Sequence, residues 1–247
     1  MSDTVMTETT VAHSPTEASA DTAQFLRVEQ ARTLATPRRR AGLVARSLFV
    51  VMDALYGRRR RLEKFLVLEL VARVPYQTWE HAAYLSITRH ARDTVRARAI
   101  YRRVQQARDQ QDNEQWHLFI LEDMLEHSGR HLGRFRYRFL PQVIALVYYQ
   151  VSWLMFVVRP EWSYSLNADF EDHAEHEYMA FVAEHPEVES VSCTCSVADV
   201  YGCPESFADV LRRIALDERA HKDESIAELA VLAGERVERT ASKRSRW

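Results

Sequence analysis

The chain has 247 residues and a near-even balance of 33 Lys and Arg against 35 Asp and Glu, with ten His, which excludes a broadly basic nucleic-acid binder. Six glycines and seven prolines are about half the usual share, so a turn-rich β-sandwich or barrel is excluded and long helices are expected. At 47% hydrophobic and 28% charged residues the chain can bury a sizeable core, in one domain or at most two.

Residues 1–40 lack a basic segment followed by an apolar one, and their Asp and Glu argue against an organelle transit peptide, so they read as a flexible tail. Residues 41–233 form the expected folded domain, and 234–247 read as a second tail. The folded part opens with Arg38-Arg39-Arg40 and the amphipathic run AGLVARSLFVVMDALYG, closed by Arg58 to Arg61. This is either a helix with solvated ends or one lying on an anionic membrane surface, with Leu48, Phe49, Val51 and Met52 inserted.

A helical pattern runs from Leu62 to Arg92, interrupted by Pro75, and another from Asp93 to His127, ended by Gly129 and Gly133. Phe139 to Val158 is apolar and long enough for a bilayer, but Pro141, Gln142, Gln150 and Ser152 favour a buried or interfacial helix. Arg159-Pro160 punctuates the chain before helices over Glu161–Glu184 and Glu205–Ala233. Cys193, Cys195 and Cys203 lie in the loop between those two helices. Their odd number excludes a closed disulfide scaffold, and their spacing, even with His185 nearby, lacks the rhythm of a structural zinc site.

Glu69 sits in FLVLELVARV with apolar neighbours on every side, so its carboxylate must be paired, protonated or metal-bound. Glu114 and His117 stand three apart on a helix and project from one face, and Glu218 and His221 repeat the arrangement. Either pair alone is weak evidence. Glu69 precedes the first pair and Glu171 the second at similar intervals, so a unit of one Glu helix and one Glu-x-x-His helix is used twice. That is the ligand pattern of ferritin-like di-iron and di-manganese carboxylate bundles. Four carboxylates and two imidazoles suit iron or manganese, and the charges offset two divalent cations. Asn113 and Asp217 stand four residues before His117 and His221, where each could orient its own imidazole. Tyr178 lies seven residues after Glu171 on the same face, whereas His173 and His176 point elsewhere.

These residues resemble the alternative oxidase family, in its plastid-terminal-oxidase-like branch. The likeness is carried by MDALYG, VLELVARVPY, the Asn-Glu-x-x-His-Leu run from Asn113, the run from Glu171 to Tyr178, and Asp-Glu-x-Ala-His from Asp217. The resemblance implies an all-α, ferritin-like four-helix bundle with extra amphipathic and apolar helices for membrane association. It implies a dimeric, monotopic enzyme that oxidises quinol and reduces dioxygen to water without pumping protons. Two iron ions would be held by Glu69, Glu114, His117, Glu171, Glu218 and His221, with Asn113, Tyr178 and Asp217 around them. Quinol would enter near Lys64, Phe65, Leu68 and Glu177. Leu70, Lys64 and Glu177 depart from the family pattern beside that pocket, which leaves open a soluble di-iron oxygenase acting on another organic substrate. The abundance of Arg over Lys points to a bacterial source, hence to the cytoplasmic face of an inner membrane.

Overall fold

The computed structural model describes residues 15–193, 198–202 and 204–244, and the side chains within 21–193, 200–202 and 204–234. Nine α-helices are found among them: α1 Pro15–Ala35, α2 Leu43–Tyr56, α3 Leu62–Ala72, α4 Val74–Arg89, α5 Thr94–His127, α6 Leu140–Val158, α7 Pro160–Glu184, α8 Ala198–Tyr201 and α9 Phe207–Arg244. No strand occurs among the described residues, where Ser192 and Ser206 form a lone antiparallel bridge. The all-α bundle is therefore as the residue pattern implies.

Four rods make the bundle: α3 with α4, then α5, α7 and α9. Pro75 breaks the first rod because it has no N–H and its ring would clash with the preceding turn; α3 ends at Ala72, Arg73 is the joint, and α4 begins with Pro75 in its first turn. The Asp93 carboxylate accepts a hydrogen bond from the Arg96 N–H and starts α5. Just past its last turn Gly129 takes a φ of 66°. Within α3, Phe65, Leu66, Val67, Leu68 and Val71 are all buried, so every face of this short rod meets protein. That enclosure keeps Glu69 from water.

Two expectations are corrected at the chain ends. Residues 15–35 of the supposed 1–40 tail form α1, which docks on α7 and α9. Gln30 donates to the Met179 carbonyl (2.9 Å), Thr33 to Glu175 (2.8 Å), and Glu29 pairs with Arg219. Because α1 is anchored largely by polar contacts, it shows no apolar stripe to betray it. At the other end, helix α9 continues through 234–244 rather than giving way to a tail.

In α2, Met52 turns into the core and Leu48 and Phe49 pack against it, with the Phe49 ring stacked on His173. Of the four residues expected to insert in a membrane only Val51 is exposed; Leu43, Val44 and Val50 face out beside it. Helix α6 and the π-helical turn before it, Phe135–Val158, are long and apolar enough to cross a membrane, yet only 17% of the apolar stretch is buried. Phe135, Phe139, Leu146, Val147, Leu154 and Val158 all point outward. The two helices meet where Tyr56 donates to the Arg136 carbonyl and Arg136 to that of Leu55.

Candidate metal centre

Each rod delivers its expected ligands to the middle of the bundle: Glu69 from α3, Glu114 and His117 from α5, Glu171 from α7, Glu218 and His221 from α9. Five are at most 1% exposed and His221 is 6% exposed. Their donor atoms fall into two groups, each within 4.8 Å: Glu69, Glu114, His117 and Glu218, and Glu114, Glu171, Glu218 and His221. Glu114 and Glu218 belong to both. His117 Nδ1 lies 3.3 Å from Glu69 and 3.1 Å from Glu218, and His221 Nδ1 lies 2.8 Å from Glu114.

The hydrogen bonding of these atoms tests whether the set suits metal. One oxygen of Glu69 and one of Glu171, both oxygens of Glu114 and of Glu218, and Nδ1 of His117 and His221 are buried with no hydrogen-bond partner. So many orphaned acceptors in one place are rare in a folded protein and costly without a cation. The residues therefore fit a pair of divalent ions sharing Glu114 and Glu218.

Protonation follows the crowding. Burial, with nearby Glu114, pushes Glu69 and Glu218 up to about 8, and burial together with Glu218 raises Glu171 well above the carboxylate range. Burial opposes ionisation of Glu114 too, but the imidazoles of His117 and His221 outweigh it and hold its carboxyl low. Both imidazoles are in turn raised above their ordinary value, because the surrounding acidic groups overcome burial.

The tyrosines cross over. Tyr178, fully buried on α7, donates to Glu69 on α3, and Tyr76, fully buried on α4, donates to Glu171 on α7 (2.7 Å). Asn167 Nδ2 donates to the Tyr76 oxygen (3.0 Å) and to Ser225 (3.2 Å). Sequence reasoning singled out Tyr178 and missed Tyr76. The signal was available, since Tyr76 follows Glu69 by seven residues as Tyr178 follows Glu171.

Asp217 also acts across the bundle. It accepts from His117 Nε2 (3.2 Å), not from His221 on its own helix, and takes further hydrogen bonds from Asn113 (3.3 Å) and Tyr201. Burial works against its charge, but His117, Tyr201 and Asn113 hold it ionised below the usual range. An acceptor-only carboxylate fixes the proton of His117 on Nε2 and directs Nδ1 at the carboxylates. The expectation that Asp217 orients His221, four residues on, is thus corrected: Asp217 holds His117, and Asn113 reaches that histidine only through Asp217. Tyr201, expected in a loop, ends the short helix α8 and carried no periodic signal.

The residues expected around quinol are buried and paired. Lys64 Nζ donates to Asp53 (2.6 Å), the Phe65 ring lies 4.4 Å from the Tyr178 ring, Leu68 is buried in the same core, and Glu177 pairs with Arg38 and Arg60. A third cluster, Asp172, Glu175 and His176, has the composition of a metal site. Its atoms are already satisfied: Lys222 and Arg219 hold Glu175, Lys222 and the Arg39 N–H hold Asp172, and both His176 ring nitrogens face carbonyl oxygens. Cys193 is partly buried, and Cys195 and Cys203 lie outside the described residues.

Two comparisons bear on this site. The alternative oxidase family model matches residues 1–227. Over 138 residues the chain is 33% identical to "Ubiquinol oxidase 4, chloroplastic/chromoplastic" of Arabidopsis thaliana, a match covering 55% of this chain and 35% of the plant protein. The aligned part spans about a third of that relative's length.

Proposed function

The chain belongs to the alternative oxidase family, and from that premise we propose that it is a quinol oxidase that reduces dioxygen to water at a di-iron centre, without pumping protons. The observation that carries the reading is the pair of four-residue groups sharing Glu114 and Glu218, with their partnerless buried oxygens and nitrogens. Glu69 and His117 would hold one iron, Glu171 and His221 the other, and Glu114 and Glu218 both. Bound iron supplies the capacity to pass electrons from quinol to dioxygen.

The protein's own groups do the rest. Four carboxylates balance the charge of two divalent ions, which makes burial of the site tolerable. Tyr178 and Tyr76 steady Glu69 and Glu171, and Asp217 steadies His117. Around Tyr178, Phe65 and Leu68 exclude water, while Lys64 with Asp53 and Glu177 with its arginines place charge at the edge of the same region. A quinol headgroup arriving between α2 and α3 would meet these groups first. The exposed apolar sides of α2 and α6 support a monotopic seat on a membrane, which for this chain we place at the cytoplasmic face of a bacterial inner membrane, as a homodimer.

The test is iron content per chain together with cyanide-resistant, quinol-dependent oxygen uptake by membranes of an expressing host, for the parent and Glu114→Ala. About two irons and quinol-driven uptake in the parent, both lost in the variant, are the expected result. A parent that purifies without metal overturns the centre. One that holds metal but consumes oxygen only with some other organic substrate overturns the quinol reading in favour of an oxygenase.

A further inference from the structure

Four consecutive arginines between α2 and α3 are untouched by the centre's ligand geometry. Gly57, at a φ of 88°, turns the chain out of α2, and Arg58, Arg59, Arg60 and Arg61 follow. With Arg130, His127 and His185 they rim a cleft of about 1080 Å³ at the end of the bundle where α5 stops. Leu62, Met124, Phe181 and Val188 give the cleft an apolar part, and Glu184 and Glu187 also line it.

The rim is unevenly neutralised. Arg60 pairs with Glu177 and Glu184, Arg130 with Glu63 and His185 with Glu187, but no carboxylate pairs with Arg58, Arg59 or Arg61 among the described residues. Arg130 also borders a smaller neighbouring cleft that holds Arg134 and Arg138, and these lead straight into the exposed apolar length of α6. Like charges crowded at one edge repel one another, and a bound anion relieves that repulsion. Guanidinium forks match the oxygens of a phosphate, whereas the apolar part of the cleft and the adjoining apolar helices suit a hydrocarbon chain. Both requirements are met by one class of molecule, an amphiphile with a phosphate head.

We propose that this cleft holds the phosphate of an anionic phospholipid, fixing the enzyme's position on the membrane at the α2–α3 turn. The proposal rests on the reading that the chain sits on a membrane, and it adds a specific lipid site to that reading. Free phosphate is the other source of the same chemistry.

Vesicle sedimentation separates the possibilities, using the full-length iron-loaded protein with phosphatidylcholine alone and with phosphatidylcholine containing phosphatidylglycerol. The informative variant is Arg58→Gln/Arg59→Gln/Arg61→Gln, which leaves the Arg60 pairs intact. Its charge-matched control is Arg92→Gln/Arg96→Gln/Arg98→Gln, three exposed residues at the α4–α5 turn at the far end of α5. At about fivefold per arginine, affinity for the mixed vesicles should fall on the order of a hundredfold in the cleft variant and less than about threefold in the control. The single Arg59→Gln change should give about fivefold, with an unaltered melting temperature showing that the fold persists.

Equal losses in the two triple variants would reduce the effect to diffuse charge and overturn the site. So would a parent that binds neutral and mixed vesicles alike, which would leave the membrane reading intact. A parent that binds neither vesicle overturns the membrane reading itself. If inorganic phosphate stabilises the parent against heat, but not the cleft variant, and vesicle binding is equal for the two, the cleft serves free phosphate and the lipid assignment is wrong.

Discussion

In the first half of the bundle Glu69 sits on a rod broken at Arg73, followed by the 34-residue α5 with Glu114 and His117; in the second, Glu171 and the Glu218–His221 pair sit on the unbroken α7 and α9. The ligands match, but their surroundings do not. Glu69 receives the hydroxyl of Tyr178 in a nest of aromatic rings, whereas Glu171 receives that of Tyr76, itself tied to Asn167 and so to Ser225. His117 is locked by Asp217, whereas His221 meets the edge of the Tyr76 ring and borders a surface cleft with Gln110, Asn113 and Glu224. Tyr178, Tyr76 and Asp217 all reach across to the opposite half. The centre is thus interlocked, and neither half presents its ligands correctly until the other has packed against it.

Substitutions at the shared and unshared carboxylates should break this symmetry most. Glu218→Gln removes a ligand common to both groups and should cost both ions and about a hundredfold or more of activity. Glu171→Gln touches one group only and should leave about one ion per chain. Iron analysis after desalting reads the difference directly. Equal metal loss in the two variants would show that the centre fills as a single unit.

The crossed tyrosines come next. Tyr76→Phe should weaken the ion near Glu171 and His221, and Tyr178→Phe the ion near Glu69 and His117, each by about tenfold to a hundredfold, as is usual when a ligand loses its supporting hydrogen bond. Titration with Mn(II), followed ion by ion, is the measurement. If each tyrosine affected the ion of its own half, the crossing would have no energetic meaning.

How much of this could be read from residues alone depends on what kind of contact carries it. The gathering of these six carboxylate and imidazole side chains was legible because helix periodicity puts Glu-x-x-His on one face and because Glu69 could find no water in its apolar segment. The break at Pro75 and the stop at Gly129 were legible from backbone chemistry. Asp217 was expected beside a histidine and is found beside a different one, since spacing along one helix says nothing about which helix lies opposite. Helix α1 was missed because Gln30, Thr33 and Glu29 anchor it by hydrogen bonds and ion pairs, which leave no periodic apolar mark. Tyr201 was missed because it ends α8, a single helical turn too short to show a period.

A pH series on protein stripped of metal by a chelator sharpens the comparison from the side of charge. Glu69 and Glu218 titrate near 8 in the folded chain but near 4.5 when unfolded. An acid raised on folding contributes stability that is whole below its unfolded pKa and is lost as pH climbs through its folded one. Glu171, shifted the same way, adds to the loss, and the raised His117 and His221 also favour low pH. The stripped protein should therefore melt at a lower temperature at pH 8 than at pH 5. The iron-loaded protein, whose carboxylates are neutralised by metal, should not. A stripped protein more stable at pH 8 would mean the carboxylates find other cations.

The smallest effect concerns α1, which docks on α7 and α9 and so provides a local lever on the second half. Thr33 donates to Glu175, a carboxylate that also takes Lys222 and Arg219 and whose pKa these partners hold low against the opposing effect of burial. Thr33→Val keeps the shape and removes the hydroxyl, leaving two cations on Glu175, so the cost should be about 1 kcal/mol, or about 2–4 °C in melting temperature for a chain of this size. Metal content should stay unchanged, because the Asp172–Glu175–His176 cluster is satisfied by cations and carbonyls and holds no ion to lose. If the variant dropped a metal ion, that cluster would be a third binding site, and the division of the bundle into two matched halves with one shared centre would fail.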